Sequence, residues 1–135
     1  MNIIVCLDDR NGMLFNHRRQ SADAAVCSRM LEIVKGKKLF MNSYSAKLFA
    51  DIREIHISED FLNEMGADDW AFVEDADLMP YMSRVKTLVV FRWNRIYPRD
   101  VVFPLAAIKE NHRYELVCEF PGKSHEVITE ERYVL

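Results

Sequence analysis

The sequence predicts a single three-layer α/β domain whose mostly parallel sheet finishes in an antiparallel hairpin. Three observations carry this. Strand-like and helix-like segments alternate through the first two thirds of the chain, which is the pattern of helices covering a parallel sheet. The first such segment, Asn2 to Leu7, is apolar without alternation, as a strand buried on both faces should be. After Asn94 no helical period of useful length recurs, and two β-prone stretches remain, Arg113 to Phe120 and Ile128 to Val134. A length of 135 residues suits one core spanning residues 1–135.

In chain order, strand one ends at Asp8 and Asp9, and Asn11-Gly12 marks a turn. The loop that follows, through Asn16, His17, Arg18, Arg19 and Gln20, reads as polar. Ser21 is an N-cap candidate with Asp23 in the first helical turn, and Ala22, Ala25, Val26, Met30, Leu31, Ile33 and Val34 recur at helical spacing as far as Gly36. Lys38 to Met41 is a short strand. Ser43 caps a helix that turns Ala46, Leu48 and Phe49 inward. Ile55 to Ser58 alternates as a strand, Glu59 to Met65 makes a short helix closed by Gly66, and Trp70 to Val73 is a buried-type strand. Asp75 or Asp77 caps a helix through Tyr81, Met82 and Val85, with Pro80 tolerated in its first turn. Thr87 to Trp93 is the next strand, and the chain ends in the hairpin.

Composition narrows the function classes. Hydrophobic residues make up 50% of the chain and charged residues 29%, with 4 Gly and 4 Pro, so a packed domain rather than a disordered one is expected. The formal charge is −3, with basic residues dispersed, which disfavours a general nucleic-acid binder. The N-terminal apolar run has no basic stretch before it, unlike a signal peptide, and no apolar segment is long enough to cross a bilayer, so a cytosolic, non-membrane protein is expected. Cys6, Cys27 and Cys118 each sit among apolar neighbours and read as reduced core thiols. Cys27 becomes a nucleophile only if the fold brings a His beside it.

Several strings resemble the dihydrofolate reductase family over nearly the whole length. They are Ile3 to Leu7 followed by Asp9-Arg10-Asn11-Gly12-Met13, then Lys37 to Ser45 with Met41-Asn42-Ser43-Tyr44-Ser45, and Leu88-Val89-Val90 through Asp100-Val101-Val102-Phe103-Pro104. In that family the last stretch has an Asp that stabilises a turn and a Phe that enters the core. The chain is short for the family, and one edge strand after Ile57 is expected to be missing. A closer resemblance, on Phe15 to Ser21, Met41 to Ser45 and Phe120 to Glu126, is to a small bacterial family often labelled ribonuclease Z. That label implies a binuclear zinc site from a dense His-x-His-x-Asp-His cluster, whereas His17, His56, His112 and His125 stand apart. The ribonuclease activity is not carried over, and no metal site is expected.

The reductase resemblance implies NADPH and a carboxylate gripping a pterin ring. Asp23 falls near the place of that carboxylate. Asn42, Ser43 and Ser45 stand where the family has Gly-Arg-x-Thr, so the phosphate-pairing guanidinium is replaced. Glu74 and Asp75 stand where the family has a glycine pair facing the pyrophosphate, and their charge would repel a phosphate. The expectation is therefore a reductase-like protein without its cofactor grip, serving as a ligand-binding or assembly domain. The alternative is an NADPH-dependent reductase of a pterin or folate-type substrate. Candidates for contact with a small molecule are Val5, Cys6 and Phe49, and also His17, Arg18, Arg19 and Gln20, whose two arginines and imidazole could hold an anion. Arg92 and Trp93 read as a snorkelling Arg beside a core Trp. His125, with Lys123, Ser124 and Glu126, reads as part of a solvent-exposed turn. A sheet edge left open by the missing strand could pair with a second copy into a homodimer.

Overall fold

A computed structural model of the chain describes residues 1–50, 52–109 and 113–135, so His112 lies outside the described residues. Strand β1 (Asn2–Leu7) is the spine. Its Ile3, Ile4, Val5 and Leu7 are fully buried, because both faces of the strand are covered as its unbroken apolar run requires. It pairs in parallel with β6 (Trp70–Phe72) on one side and β7 (Thr87–Arg92) on the other. Beyond β6 lie β4 (Leu39–Met41) and β5 (Ile55–Ile57), also parallel. Beyond β7, strands β10 (Ile128–Val134) and β9 (Arg113–Phe120) are added antiparallel, which completes a seven-stranded sheet in the order β5-β4-β6-β1-β7-β10-β9. The sheet ends at β5, and the chain leaves Ile57 for a helix rather than another edge strand.

Helix α1 (Ala24–Val34) covers one face. Val26, Met30 and Val34 pack on Ile4, Leu39, Met41, Phe72, Val89 and Phe91. Each such side chain contributes on the order of 2 kcal/mol by leaving water. Against the opposite face lie Phe61 and Leu62 of α3 (Phe61–Glu64) and Leu105 and Ile108 of α4 (Leu105–Lys109), so the three layers are present.

The local differences from expectation have simple causes. The cap of α1 is Asp23 rather than Ser21: Asp23 is extended, at φ −152°, and its carboxylate accepts from Ala25 N. The α1 chain exit is at Gly36, whose φ of +77° suits a residue without a Cβ. Asn42, not Ser43, caps α2 (Ser43–Ala46) by accepting from Ser45 N. The segment after β6 is a 3₁₀ helix, Met79–Arg84, with Pro80 at its start and Asp77 Oδ1 accepting from Met79 N at 3.0 Å, in place of the expected α-helix. Helix α4 and the short strand β8 (Val101–Val102) were not expected after Asn94. The supposed polar loop is a hairpin: β2 (Gly12–Phe15) pairs with β3 (Arg18–Arg19) across Asn16 and His17, which have φ of +53° and +62° as a tight two-residue hairpin turn demands. β8 joins the other edge of β2, making a second, three-stranded sheet in the order β3-β2-β8. Asp100 Oδ2 accepts from Asn16 N at 2.9 Å and Phe103 enters the core, as the Asp-x-x-Phe-Pro stretch implied.

Candidate functional site

The second sheet overhangs the end of β6, and between them lies a cavity of about 560 Å³. Ligand sites in open α/β sheets form beyond the carboxyl ends of the strands, where loops diverge. The walls are Met13 and Leu14 of β2, the segment Glu74 to Met79, and Val101 to Pro104, with His17 at the hairpin tip.

The polar groups at the inner end of this cleft are already paired with one another. Glu74 is buried at the end of β6, where its carboxylate takes a two-pronged ion pair from Arg19, with Nε to Oε2 at 2.8 Å and Nη2 to Oε1 at 3.0 Å, and a bond from Ser45 Oγ at 2.8 Å. Arg19 is held in turn by Tyr44, whose ring lies 4.1 Å below the guanidinium and whose carbonyl oxygen accepts from Nη2. Burial alone would lower the Arg19 pKa, but Glu74 outweighs it and raises the value above the ordinary one. Asn42 donates from Nδ2 to Asp75 at 2.7 Å, and Ser43 N donates to Glu59 at 2.9 Å. Thus three carboxylates of the chain itself, Glu74, Asp75 and Glu59, occupy the Arg19 guanidinium, the Asn42 amide and the Ser43 N–H.

Asp23 is engaged elsewhere. Its carboxylate, 3% exposed, accepts from the backbone N–H of Ala25, Lys123, Ser124 and His125 and from His125 Nδ1 at 2.9 Å. Burial would raise its pKa, but these donors outweigh that and hold the carboxyl well below the usual aspartate range. His125 is buried, stacked on Trp93 with ring centroids 4.6 Å apart, and its Nε2 meets Tyr97 OH at 2.9 Å and Ser21 Oγ at 3.0 Å. The solvent-exposed turn expected around His125 is therefore corrected, because the imidazole is buried and hydrogen-bonded to the Asp23 carboxylate. Carboxylate, imidazole and hydroxyl stand in the order of a nucleophile relay. Yet the hollow between Ser21, Asp23, Cys27, Phe72 and Trp93 measures only about 10 Å³, room for one water and not for an acyl group or a pterin ring. The cluster acts as a staple between the start of α1 and the β9–β10 connection.

No protein-family model matches the chain, and no curated protein matches it in sequence. Among solved structures it is similar to a dihydrofolate reductase from Enterococcus faecalis complexed with NADP(H) and RAB-propyl. The TM-score is 0.61 over 98% of this chain and 94% of that one, at 11% sequence identity. The chain has the dihydrofolate reductase fold. At that identity the likeness extends to architecture alone, and the side chains must speak for the chemistry.

Placed on the reductase fold, the remaining candidates divide. Glu74, Asp75 and His17 line the cleft; Glu74, which is buried, meets Arg19 and Ser45, and Asp75, which is exposed, meets Asn42. Arg18 and Arg19 both line a hollow with Gln20, Tyr97 and Pro98, but the Arg19 guanidinium is paired with Glu74, while Arg18 is exposed. Gln20 Nε2 donates to Asp8 and to Pro98 O, which ties the β1–β2 turn to the Tyr97-Pro98 segment. Val5 is buried in the core and lines none of the cavities described, and Phe49 packs edge-on against Phe72. Cys6 lines the closed hollow, with its thiol pushed up by burial. Burial, followed by the carboxylates of Glu74 and Asp23, pushes Cys27 up to about 11, so it is a thiol and not a nucleophilic thiolate at neutral pH. Arg92 does not snorkel: it pairs with Glu131 at 2.9 Å and donates to Asp8 O and Asn11, while Trp93 is in the core as expected. Among the described residues no group of three or more His, Cys, Asp or Glu stands close enough to hold a metal ion. Tyr97 and His125 were missed from sequence. The only signal was the Pro121-Gly122-Lys123-Ser124-His125 string, which carries no local chemistry by itself.

Proposed function

We propose that this chain is a ligand-binding member of the dihydrofolate reductase fold that does not use NADPH, with the 560 Å³ cleft as its small-molecule site. The observation that carries the reading is the pairing, within the chain, of the donors around Glu74 and Asp75. Arg19, Asn42 and Ser43 N, the groups best placed to grip a phosphate, are bonded to Glu74, Asp75 and Glu59. A dinucleotide pyrophosphate would have to displace the buried Glu74 carboxylate from Arg19 and Ser45 and then sit beside the charge of Asp75 and Glu59, so the residues present do not fit the cofactor. The closed hollow beside Asp23 likewise leaves no space for a pterin, which weighs against the alternative of a pterin or folate reductase.

The test is thermal unfolding of the full chain with NADPH from micromolar to millimolar. A ligand of the native state raises the melting temperature with its concentration. No shift is expected, whereas a rise that tracks concentration, with oxidation of NADPH by dihydrofolate, would establish the reductase alternative. A second reading, assembly of two copies, is favoured by strand β9: it is a sheet edge whose backbone, among the described residues, bonds only to β10, and its Tyr114 and Leu116 are half exposed. Light scattering at about 100 μM, with Leu116→Lys as control, decides it. A dimer lost in the variant supports assembly, and a monomer throughout removes it.

A further inference from the structure

The charge and shape of the cleft narrow its occupant, on the reading that the cleft is a small-molecule site. The cavity is walled by Met13, Leu14, Leu78, Val102 and Phe103, and no lysine or arginine lines it. Its volume falls within the range of about 300–1,000 Å³ typical of small-molecule sites. Unlike the core, this apolar lining is left partly in water: Met79 is 56% exposed, Val101 42% and Val102 52%, a concentration of exposed large hydrophobics around one hollow. The carboxylates are not equivalent. Glu74 is neutralised by Arg19, but Asp75 and Asp77, both exposed at the mouth, have no cationic partner among the described residues. Asp75 accepts a bond from Asn42 and Asp77 one from Met79 N, neither of which cancels a charge. The hollow is therefore apolar inside and negative at its rim.

We propose that the cleft binds a small organic cation, an amine carried on an apolar aryl or alkyl body, with the body between β2, Leu78 and β8 and the ammonium group at Asp75 and Asp77. An anion would meet uncompensated negative charge. A neutral apolar molecule would fill the walls but make no use of the rim. The cation satisfies both, and the desolvated walls strengthen its attraction to the carboxylates.

The experiment is calorimetric titration of the full chain with 4-phenylbutylamine, 4-phenylbutan-1-ol and 4-phenylbutyrate, which share one body and differ in charge. The amine is expected to bind tightest, the alcohol about fivefold more weakly per carboxylate engaged and the butyrate weakest. Asp75→Asn and Asp77→Asn, both at exposed positions, should each reduce amine affinity about fivefold and leave the alcohol unchanged. Val102→Lys should abolish the preference for the amine without lowering the melting temperature, since Val102 is half exposed. Equal affinities, a preference for the butyrate, an amine preference that survives both aspartate variants, or no binding at millimolar amine would each overturn the proposal. NADPH in the same titration separates the two levels. If NADPH is inert and the amine fails, the choice of ligand is wrong. If NADPH binds, the reading of the cleft itself is wrong.

Discussion

Asp23 shows how one side chain can satisfy several local rules and then be recruited by a distant one. It caps α1, as its residue type suggests, and the same carboxylate gathers three backbone N–H groups and an imidazole from a segment about a hundred residues away. Asp23→Asn replaces one acceptor oxygen with a donor facing donors, and should cost on the order of 3 kcal/mol in urea unfolding at pH 7. Because the folded pKa is depressed, the contribution is fully present above the ordinary aspartate value of about 3.9 and is lost as pH falls through the lowered one. The difference between wild type and variant should therefore hold from pH 7 to pH 5 and shrink below pH 4. Cys27 belongs to the same scale: with its thiol at about 11, iodoacetamide at pH 7 should modify it far more slowly than a free thiol, with mass spectrometry as the readout.

At the scale of elements, the approach of one backbone to another is set by small residues and buried pairs. A Cβ on Gly122 would stand 2.6 Å from both Asp23 Oδ2 and the His125 carbonyl oxygen. Gly122→Ala must therefore push the β9–β10 connection off α1. It should destabilise the fold and free His125 from Trp93, which a change in tryptophan fluorescence would report. Helix α1 is tied to β10 by Arg29 Nε and Glu130 Oε1 at 2.6 Å, with Glu130 fully buried. Arg29→Met leaves that carboxylate unpaired and should cost about 3–5 kcal/mol, while the double variant with Glu130→Met should recover most of it. Chemical denaturation of the three variants measures the difference. Periodicity located both elements: the α1 stripe and the Ile128 to Val134 strand needed nothing beyond their own residues. The pairing between them was not visible, because Arg29 and Glu130 are ordinary surface types whose burial depends on where β10 falls in the sheet.

For the whole molecule, the reductase fold was legible because it rests on the order of apolar runs, and those are local. β1, β7, β9 and β10 are where β-prone and apolar runs put them, and the central β1 and β7, covered on both faces, are apolar through their buried lengths. The acidic character of the cleft was legible too, from Glu74 and Asp75 at the end of a strand. What the residues by themselves determined was therefore the layer order, the central strand and the pair of carboxylates at that strand end. Only the tertiary structure decided that Arg19 pairs with Glu74 while Arg18 does not, that Asp23 is bonded to His125, and that a cavity of about 560 Å³ lies under β2 and β8 while the hollow beside Asp23 is closed. The physical reason is the range of the forces involved. Hydrophobic periodicity is written within a few residues, whereas a hydrogen bond or ion pair is fixed by sub-ångström placement of groups brought together from the far ends of the chain.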